Sequence, residues 1–228
     1  MSSSAQRRSW TAAELASVLD HTLLAPEAIR GRVDRLCDEA LEHGFAAVCV
    51  NPCHVTRCAG RLARSPVVVC SVVGFPFGAS TTSVKVHEAR AALEDGAREL
   101  DMVMNLGALR SDDDAFVERD VALVVEVARH HGALVKVILE TGLLSPDEVR
   151  RACAASVAGG AAFVKTCTGF GPRGTTRADV ELLRASVPDH VGVKAAGGVR
   201  TRAFALELLE AGATRLGSSA SVELVRPA

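Results

Sequence analysis

The sequence has no excess of basic charge. Its 228 residues contain 26 Lys and Arg against 27 Asp and Glu, a formal net charge of -1. Proteins that bind nucleic acid or anionic membrane surfaces through charge carry a basic excess that is missing here. We therefore expect partners among small molecules, and neither nucleic acid nor a membrane.

Long apolar runs are also missing. Residues 1–8 are polar with two arginines and lack the apolar stretch of a secretory signal, and no later run reaches membrane-spanning length. The seven cysteines are odd in number and scattered, which indicates reduced thiols and not a disulfide framework. These absences predict a cytoplasmic protein with a flexible N-terminal arm over residues 1–10.

Lysine is scarce. Of the 26 basic residues only four are lysines: Lys85, Lys136, Lys165 and Lys194. Arginine stays protonated, whereas a lysine amine becomes a nucleophile when it is desolvated or placed beside another cation. Lys85 lies in the polar-flanked run SVKVHEAR, and we interpret it as a lysine without a special role. The other three each lie inside a short apolar run.

Short, continuous apolar segments recur along the chain, as in strands that are buried on both faces of a parallel sheet. We predict strands at Ala46–Val50, Val67–Phe75, Glu99–Met104, Leu134–Glu140, Ala162–Thr166, Val191–Ala195 and Thr214–Gly217. An eighth strand, with the weakest signal, is placed at His21–Leu24.

Amphipathic segments with helical spacing separate these strands. They are Arg30–His43, Pro52–Ala63, Thr81–Asp95, Asp114–His131, Ser145–Ala158, Thr176–Ala185 and Thr201–Ala211, and several begin near Ser, Thr or Asp. Thr11–Leu19 is expected to form an additional helix before the first strand. The repeated β-α unit predicts one domain, residues 1–228, folded as a single TIM (β/α)8 barrel with an extra N-terminal helix.

In such barrels the chemistry gathers where the strands end. Strands five, six and seven each place one lysine in an apolar run, and a lone buried ammonium is costly. Two lysines held close together depress each other's pKa, which would leave one amine neutral and able to form a Schiff base. The structural alternative is a salt-bridged interior cluster with Asp101 and Glu140.

Two loops of small residues follow the last two strands. Ala195–Val199 and Leu216–Ser219 could bring backbone N–H groups close to an anion, at the position where many barrels hold a phosphate. Small residues are also common wherever a strand meets a helix, so each loop alone is weak evidence. Arg173, in the glycine-rich segment TGFGPRGTT that precedes both loops, is a candidate closing cation.

A metal cluster is a rival interpretation of Cys49-x3-Cys53-His54-x3-Cys58. The spacing matches no known zinc knuckle, because Cys49 ends a predicted strand while the others lie on a predicted helix. We therefore expect no metal site.

Eight segments, in this order, carry a family resemblance: LDHTLLAPEA, VCVNPCHV, VVGFPFG, ELDMVMNLGAL, VKVILETGLL, FVKTCTGF, VKAAGGVRT and RLGSS. Spanning about residues 19–219, they resemble the deoxyribose-phosphate aldolases, a class I aldolase family. The resemblance implies a TIM barrel that reversibly cleaves 2-deoxy-D-ribose 5-phosphate to D-glyceraldehyde 3-phosphate and acetaldehyde, with no metal or cofactor.

Matched by motif, the resemblance implies roles for individual residues. Lys165 would form the Schiff base, and Lys194 would be the cationic neighbour that lowers its pKa. Asp101 would work with an ordered water as the proton shuttle. Asp20 and Thr22 would line the end that holds the substrate hydroxyls.

Further positions match the substrate pocket of the family. Cys49 and Lys136 match pocket positions, with Lys136 supporting the carboxylate network, and the phosphate-binding positions are Thr168, Gly169, Gly197, Gly198, Ser218 and Ser219. Three departures stand beside these matches: Cys167 and Ala196 replace serines, and Ala220-Ser221 replaces Ser-Gly. The last removes a hydroxyl donor, so phosphate affinity could be weaker than is typical of the family.

Two other functions stay open at this point: a non-catalytic sugar-phosphate-binding barrel, and another Schiff-base aldolase such as a transaldolase. Members of the resembled family are often dimers or monomers, so a homodimer is compatible with the resemblance.

Overall fold

Eight parallel strands close into a barrel in the computed structural model, which describes residues 10–226. The strands are β1 Leu19–Leu23, β2 Ala47–Val50, β3 Val68–Val73, β4 Glu99–Val103, β5 Leu134–Ile138, β6 Phe163–Lys165, β7 Gly192–Ala196 and β8 Arg215–Ser218. Each pairs with its sequence neighbours, and β1 pairs with β8. The predicted TIM barrel is confirmed.

Helices alternate with these strands and cover the outside of the barrel. They are α1 Ala12–Ala16, α2 Arg30–His43, α3 Val55–Leu62, α4 Thr82–Glu94, α5 Leu106–Arg110, α6 Asp114–His130, α7 Pro146–Ala158, α8 Arg177–Ser186, α9 Arg202–Glu210 and α10 Ser221–Val225. Two 3-10 turns lie at Pro52–His54 and Thr141–Leu143. None of the helices within residues 10–226 combines the length and the apolar character that crossing a membrane requires.

Local sequence signals account for several helix ends. Ser145 and Glu148 form a reciprocal capping box at the start of α7, with Pro146 at its first position. Helix α2 ends at Gly44, whose φ of 67° is left-handed. The helices therefore begin and end largely where the sequence pattern places them.

The N-terminal segment differs from the prediction in its bounds. The expected extra helix exists, but it ends at Ala16, because Leu19 already begins β1 and pairs with Leu216 of β8. The strand expected at His21–Leu24 is therefore the first strand and begins two residues earlier. The flexible arm expected over residues 1–10 lies, apart from Trp10, outside the described residues.

Lys85, which the sequence analysis left without a special role, is buried. Its side chain on α4 has no exposed surface, and Nζ lies 2.6 Å from Oδ2 of Asp120 on α6. The polar residues that flank Lys85 in sequence lie on other faces of α4, since the helix turns about 100° per residue. Lys85 thus joins two neighbouring helices.

Two buried regions differ in character. The main apolar core lies between the strands and the surrounding helices. Inside the barrel the apolar cluster is small, comprising Leu24, Ala47, Cys49, Cys70 and Val72. The remaining interior is occupied by charged side chains, which form the floor of the site described next.

Candidate active site

A cavity of about 470 Å³ opens at the carboxyl ends of the strands. Of the four lysines in the chain, Lys165 alone lines it, at the end of β6. Register places Lys165 beside Ile138 of β5 and Lys194 of β7. Among the four lysines, Lys165 is therefore the one that a ligand in this cavity can contact.

The predicted phosphate-binding residues also line this cavity: Thr168, Gly169, Gly197, Gly198, Ser218 and Ser219, together with Thr22. Gly197 and Gly198 have φ of 94° and 81°, in the region that favours glycine. A Cβ on Gly197 would lie 3.1 Å from Cβ of Cys167. The turn therefore depends on glycine and leaves its backbone accessible at the cavity wall.

Two hydroxyl groups at this wall are already engaged. Thr168 donates its hydroxyl hydrogen to the buried carboxylate of Glu140. Ser218 Oγ donates to the Val199 carbonyl at 2.6 Å and accepts from the Ala220 N–H at 2.9 Å. Neither of these hydroxyl hydrogens is free for an anion, which leaves the backbone N–H groups, the Ser219 hydroxyl and nearby cations.

Two such cations, which the sequence analysis missed, are Arg32 and Arg200. Arg32 lies 3.9 Å from Glu27 with about half of its side chain exposed, and Arg200 is exposed. The position of Arg200, directly after the glycine turn, was a signal that could have found it. Arg173, the candidate closing cation, instead binds Asp179, with Nη2 2.9 Å from Oδ1.

Beneath the cavity, six charged side chains form a closed ring of alternating sign, here called the charge ring: Asp20, Arg215, Glu99, Lys136, Asp101 and Lys194. Arg215 lies 2.7 Å from Asp20 and 3.2 Å from Glu99. Lys136 lies 2.6 Å from Glu99 and 2.8 Å from Asp101. Lys194 lies 2.7 Å from Asp101 and also binds Asp20. Each member thereby contacts two members of opposite charge.

Lys165 stands outside the charge ring and contacts it at one point. Its Nζ lies 2.7 Å from Oδ2 of Asp101, the oxygen that Lys194 also contacts at 2.7 Å. The ring already balances three carboxylates with three cations, so a protonated Lys165 adds a surplus positive charge. Lys165 is thus the one of these four cations that the three ring carboxylates leave without a countercharge of its own.

The ring holds its own members charged. Burial raises the pKa of the Asp20 carboxyl, but Lys194, Lys136 and Arg215 more than offset this and lower it to about 2. Burial likewise raises the pKa of Asp101, and the three lysines bring it well below its usual value. Both aspartates are therefore carboxylates at neutral pH.

For the two lysines of the charge ring, burial and the neighbouring charges act on the pKa in the opposite directions to those for the aspartates. Burial lowers the pKa of the Lys136 and Lys194 amines, but the neighbouring carboxylates, Asp101 above all, raise it above the usual value. Lys136 does lower the pKa of the Lys194 amine, as expected of a neighbouring cation, but Asp101 and Asp20 outweigh it. The salt-bridged cluster was predicted to contain Asp101 and Glu140, and the prediction is wrong for Glu140. Glu140 accepts a hydrogen bond from Thr168, and the other carboxylates of the charge ring are Asp20 and Glu99.

Asp20, Cys49, Asp101, Lys136 and Lys194 thus lie below the cavity and not on its wall. The Cys49 thiol is 4.0 Å from Oδ2 of Asp101. Asp20, predicted to hold substrate hydroxyls with Thr22, is fully buried, and only Thr22 reaches the cavity.

Metal-ligand geometry within residues 10–226 occurs only inside the barrel. The ligand atoms of Cys49, Cys70 and Asp101, and of Asp20, Cys70 and Glu99, lie within 4.8 Å of one another. Lys136 Nζ lies 3.4 Å from Sγ of Cys70 and contacts both Asp101 and Glu99. An ammonium thus takes the place where a metal ion would balance these groups.

Comparison with known proteins supports the resemblance carried by the motifs. Residues 16–220 match the model of the DeoC/LacD family aldolases. Deoxyribose-phosphate aldolase 1 of Bacillus licheniformis is 49% identical over 213 residues, 93% of this chain and 95% of its own length. The deoxyribose-phosphate aldolase of Thermococcus kodakarensis is 52% identical over 217 residues, 94% of this chain and 97% of its own.

A solved structure agrees with these sequence relatives. The deoxyribose phosphate aldolase of Aeropyrum pernix, described as a unique tetramer, superposes with a TM-score of 0.89 at 36% identity, covering 94% of this chain and 91% of its own. The matches extend over the barrel, the cavity and the residues of the charge ring. The chain belongs to the DeoC/LacD family of aldolases.

Proposed function

We propose that this enzyme is a class I aldolase that reversibly cleaves 2-deoxy-D-ribose 5-phosphate to D-glyceraldehyde 3-phosphate and acetaldehyde, working as one catalytic domain over residues 1–228. One observation carries the proposal: Lys165 is both the lysine that lines the cavity and the barrel cation left outside the charge ring. The names of its relatives support the choice of substrate.

The reaction begins at Lys165. Its neutral amine attacks the C1 aldehyde of the open-chain sugar, and loss of water gives an iminium. Asp101 is 2.7 Å from the amine and can stabilise the positive charge that the iminium carries. The iminium then serves as the electron sink for breaking the adjacent carbon–carbon bond.

Bond cleavage follows between C2 and C3. Asp101, acting through an ordered water, takes the proton of the C3 hydroxyl as the C2–C3 electron pair moves into the iminium. D-glyceraldehyde 3-phosphate leaves with the new C3 aldehyde, and an enamine stays on Lys165. Protonation at C2 and hydrolysis release acetaldehyde and restore the free amine. Lys194, held charged by Asp20 and Asp101, keeps a positive charge beside the amine throughout.

The phosphate occupies the other end of the cavity. Backbone N–H groups of the loops at Gly169, Gly197–Gly198 and Ser218–Ser219 bind it, and Arg32 and Arg200 add positive charge at the opening. Holding the phosphate here fixes where C1 meets Lys165, which lowers the entropic part of the barrier. Thr22 lies on the same wall and contacts the sugar hydroxyls.

The partner of the protein is thus a small sugar phosphate, and we propose that it works in the cytoplasm as a homodimer. The free thiols at all seven cysteines agree with a reducing compartment. The tetrameric relative from Aeropyrum pernix supports self-association, and analytical ultracentrifugation would measure the assembly.

Borohydride trapping with 2-deoxyribose 5-phosphate, followed by intact mass and peptide mapping, tests the function. We expect a reduced adduct on Lys165. Binding of the sugar phosphate without an adduct on any lysine would instead favour a non-catalytic binding barrel. An adduct formed only with ketose donors, in a panel of donor substrates, would favour a transaldolase.

A further inference from the structure

Two members of the charge ring were given no role by the family resemblance. Glu99 on β4 and Arg215 on β8 lie, like the other four members, below the cavity and not on its wall. The side chain of Glu99 is 6% exposed and that of Arg215 is 17% exposed. A buried charge pair is a poor stabilising device compared with apolar packing, so its presence under a reactive amine calls for a cause.

We propose that Glu99 and Arg215 are positioning residues for the aldolase reaction, closing the charge ring from below so that Lys165 is the one barrel cation able to give up its proton. The inference rests on the proposed function, since it concerns the amine that forms the Schiff base. It assigns these two residues an electrostatic role exerted through Lys136 and Asp20.

Glu99 acts through Lys136. It precedes Asp101 by two residues on β4, so both side chains point into the barrel and reach the Lys136 amine from two levels. Without Glu99, Lys136 would keep Asp101 at 2.8 Å and Asp20 only at 3.8 Å. Asp101 would then be the main countercharge for the amines of Lys136, Lys165 and Lys194. The surplus positive charge would be shared among them and would no longer be confined to Lys165.

Arg215 acts through Asp20. Its guanidinium stays protonated at any pH that the enzyme meets, so it supplies a fixed charge where a lysine could lose one. The guanidinium carbon lies 5.9 Å from the centre of the Phe163 ring. That ring packs against Gly192, where an added Cβ would lie only 2.1 Å from a ring carbon. This contact with Phe163 holds the Arg215 side chain beneath Asp20, and the guanidinium still binds Asp20 and Glu99 of the charge ring.

All eight strands contribute groups to the interior that Lys165 shares. They are Asp20 on β1, Cys49 on β2, Cys70 on β3, Glu99 and Asp101 on β4, Lys136 on β5, Lys165 on β6, Lys194 on β7 and Arg215 on β8. Burial keeps the pKa of the Cys70 thiol well above its usual value, so this thiol is neutral. A hydrogen bond with Cys70 lowers the pKa of the Cys49 thiol. Among the carboxylates and basic side chains, three carboxylates face four cations, so loss of one proton from Lys165 balances these groups.

The proposal predicts opposite effects for two substitutions. In Glu99→Gln one negative charge is lost, so Lys165 releases its proton more readily, and the acid limb of kcat/KM moves about one pH unit lower. In Arg215→Gln one positive charge is lost, and the limb moves about one pH unit higher. In the double variant the two changes offset each other, and the limb returns towards its wild-type position.

The experiment is the pH profile of kcat/KM for the wild type, both single variants and the double variant, with 2-deoxyribose 5-phosphate. Opposite displacements and their cancellation support the proposal. Equal losses at every pH, or displacements in the same direction, overturn it, because a merely structural role would lower activity without moving the limb in opposite directions.

If a neutral variant does not fold, variants that keep the charge provide the test. Glu99→Asp and Arg215→Lys keep the ring charged, and we expect their limbs at the wild-type position; a limb displaced in both would also overturn the proposal. Failure of the proposed function is separate: the wild-type enzyme would then neither cleave the substrate nor form a borohydride-trapped adduct.

Discussion

Two buried lysine–aspartate pairs in this protein have almost the same local geometry. Lys85 lies 2.6 Å from Asp120 between two helices, and Lys165 lies 2.7 Å from Asp101 inside the barrel. Both lysine side chains are at most 3% exposed. They differ in their surroundings: Lys85 has its aspartate to itself, whereas Lys165 shares one with Lys136 and Lys194 beside an open cavity.

From this difference we infer which surroundings would make a buried lysine a nucleophile. A carboxylate at hydrogen-bond distance stabilises an ammonium, and the isolated pair of Lys85 and Asp120 joins α4 to α6. Lys165 competes for a carboxylate that a neutral ring already uses, and it can meet a ligand. Burial does not distinguish Lys85 from Lys165, because both are buried. The number of neighbouring charges and the access to the cavity distinguish them.

The strongest test of this contrast replaces each lysine with leucine. Lys165→Leu should lower turnover by about four orders of magnitude or more, because no other lysine reaches the cavity. Lys85→Leu is the matched variant and should still form the borohydride-trapped adduct when folded. Substantial cleavage by Lys165→Leu would remove Lys165 from its role.

Lys194→Leu asks whether the neighbouring charge matters. We expect a rate loss of about 100-fold or more and an alkaline shift of the pH optimum, because the positive charge that favours a neutral Lys165 is gone. The profile of kcat/KM against pH measures both. An unchanged optimum with a lowered rate would indicate that Lys194 only fills space.

Lys85→Met should act on stability and not on chemistry. It leaves the Asp120 carboxylate buried without its partner, which costs about 3–5 kcal/mol of unfolding free energy. Urea unfolding measures this cost, and kcat of the folded fraction should match the wild type. The double variant Lys85→Met/Asp120→Leu should recover most of the stability, and a double variant no more stable than the single one would contradict the pairing.

The acid stability of the barrel should depend on the charge ring. Asp20 has a pKa of about 2 when folded against 3.8 as its ordinary value. Its contribution, about 2 kcal/mol, is therefore fully present above pH 4 and is lost as the pH falls towards 2. Unfolding free energies at pH 5 and pH 2.5 should fall less steeply in Asp20→Asn; an equal fall would assign the acid sensitivity to other carboxyls.

The smallest effect is expected at the cavity opening, far from both pairs. Arg200→Gln should raise KM for 2-deoxyribose 5-phosphate about tenfold and leave kcat nearly unchanged, because one cation near the phosphate is lost. Activity on unphosphorylated 2-deoxyribose should not change. Arg64→Gln, which removes the same charge from the turn before β3, is the control and should behave as the wild type.

The sequence predicted the barrel because the fold depends on local patterns, and it offered Lys165 as the candidate nucleophile. Strand-length apolar runs alternating with helical segments specify the fold, and the scarcity of lysine drew attention to Lys165. The charge ring was only partly predictable. Asp20, Asp101, Lys136 and Lys194 were named, but Glu99 and Arg215 were not, because strands buried on both faces give no pattern that separates inward from outward positions.

Other misses have similar physical causes. The burial of Lys85 depends on Asp120, 35 residues away, and no local pattern reports such a pairing. Helices α5 and α10, of five residues each, are too short to show helical periodicity and were not predicted. The position of Asp20 below the cavity follows from barrel closure, which brings β1 against β8.

The closed form of the charge ring limits how this enzyme can be altered, whether by natural drift or by a directed-evolution library. A neutral replacement at any one of its six positions unbalances the charge beneath Lys165, so variants that keep the wild-type pH dependence should change ring residues in pairs of opposite sign. The cavity opening at Arg32 and Arg200 is free of that constraint. Libraries that seek new aldehydes should therefore diversify the opening and keep the six ring residues fixed.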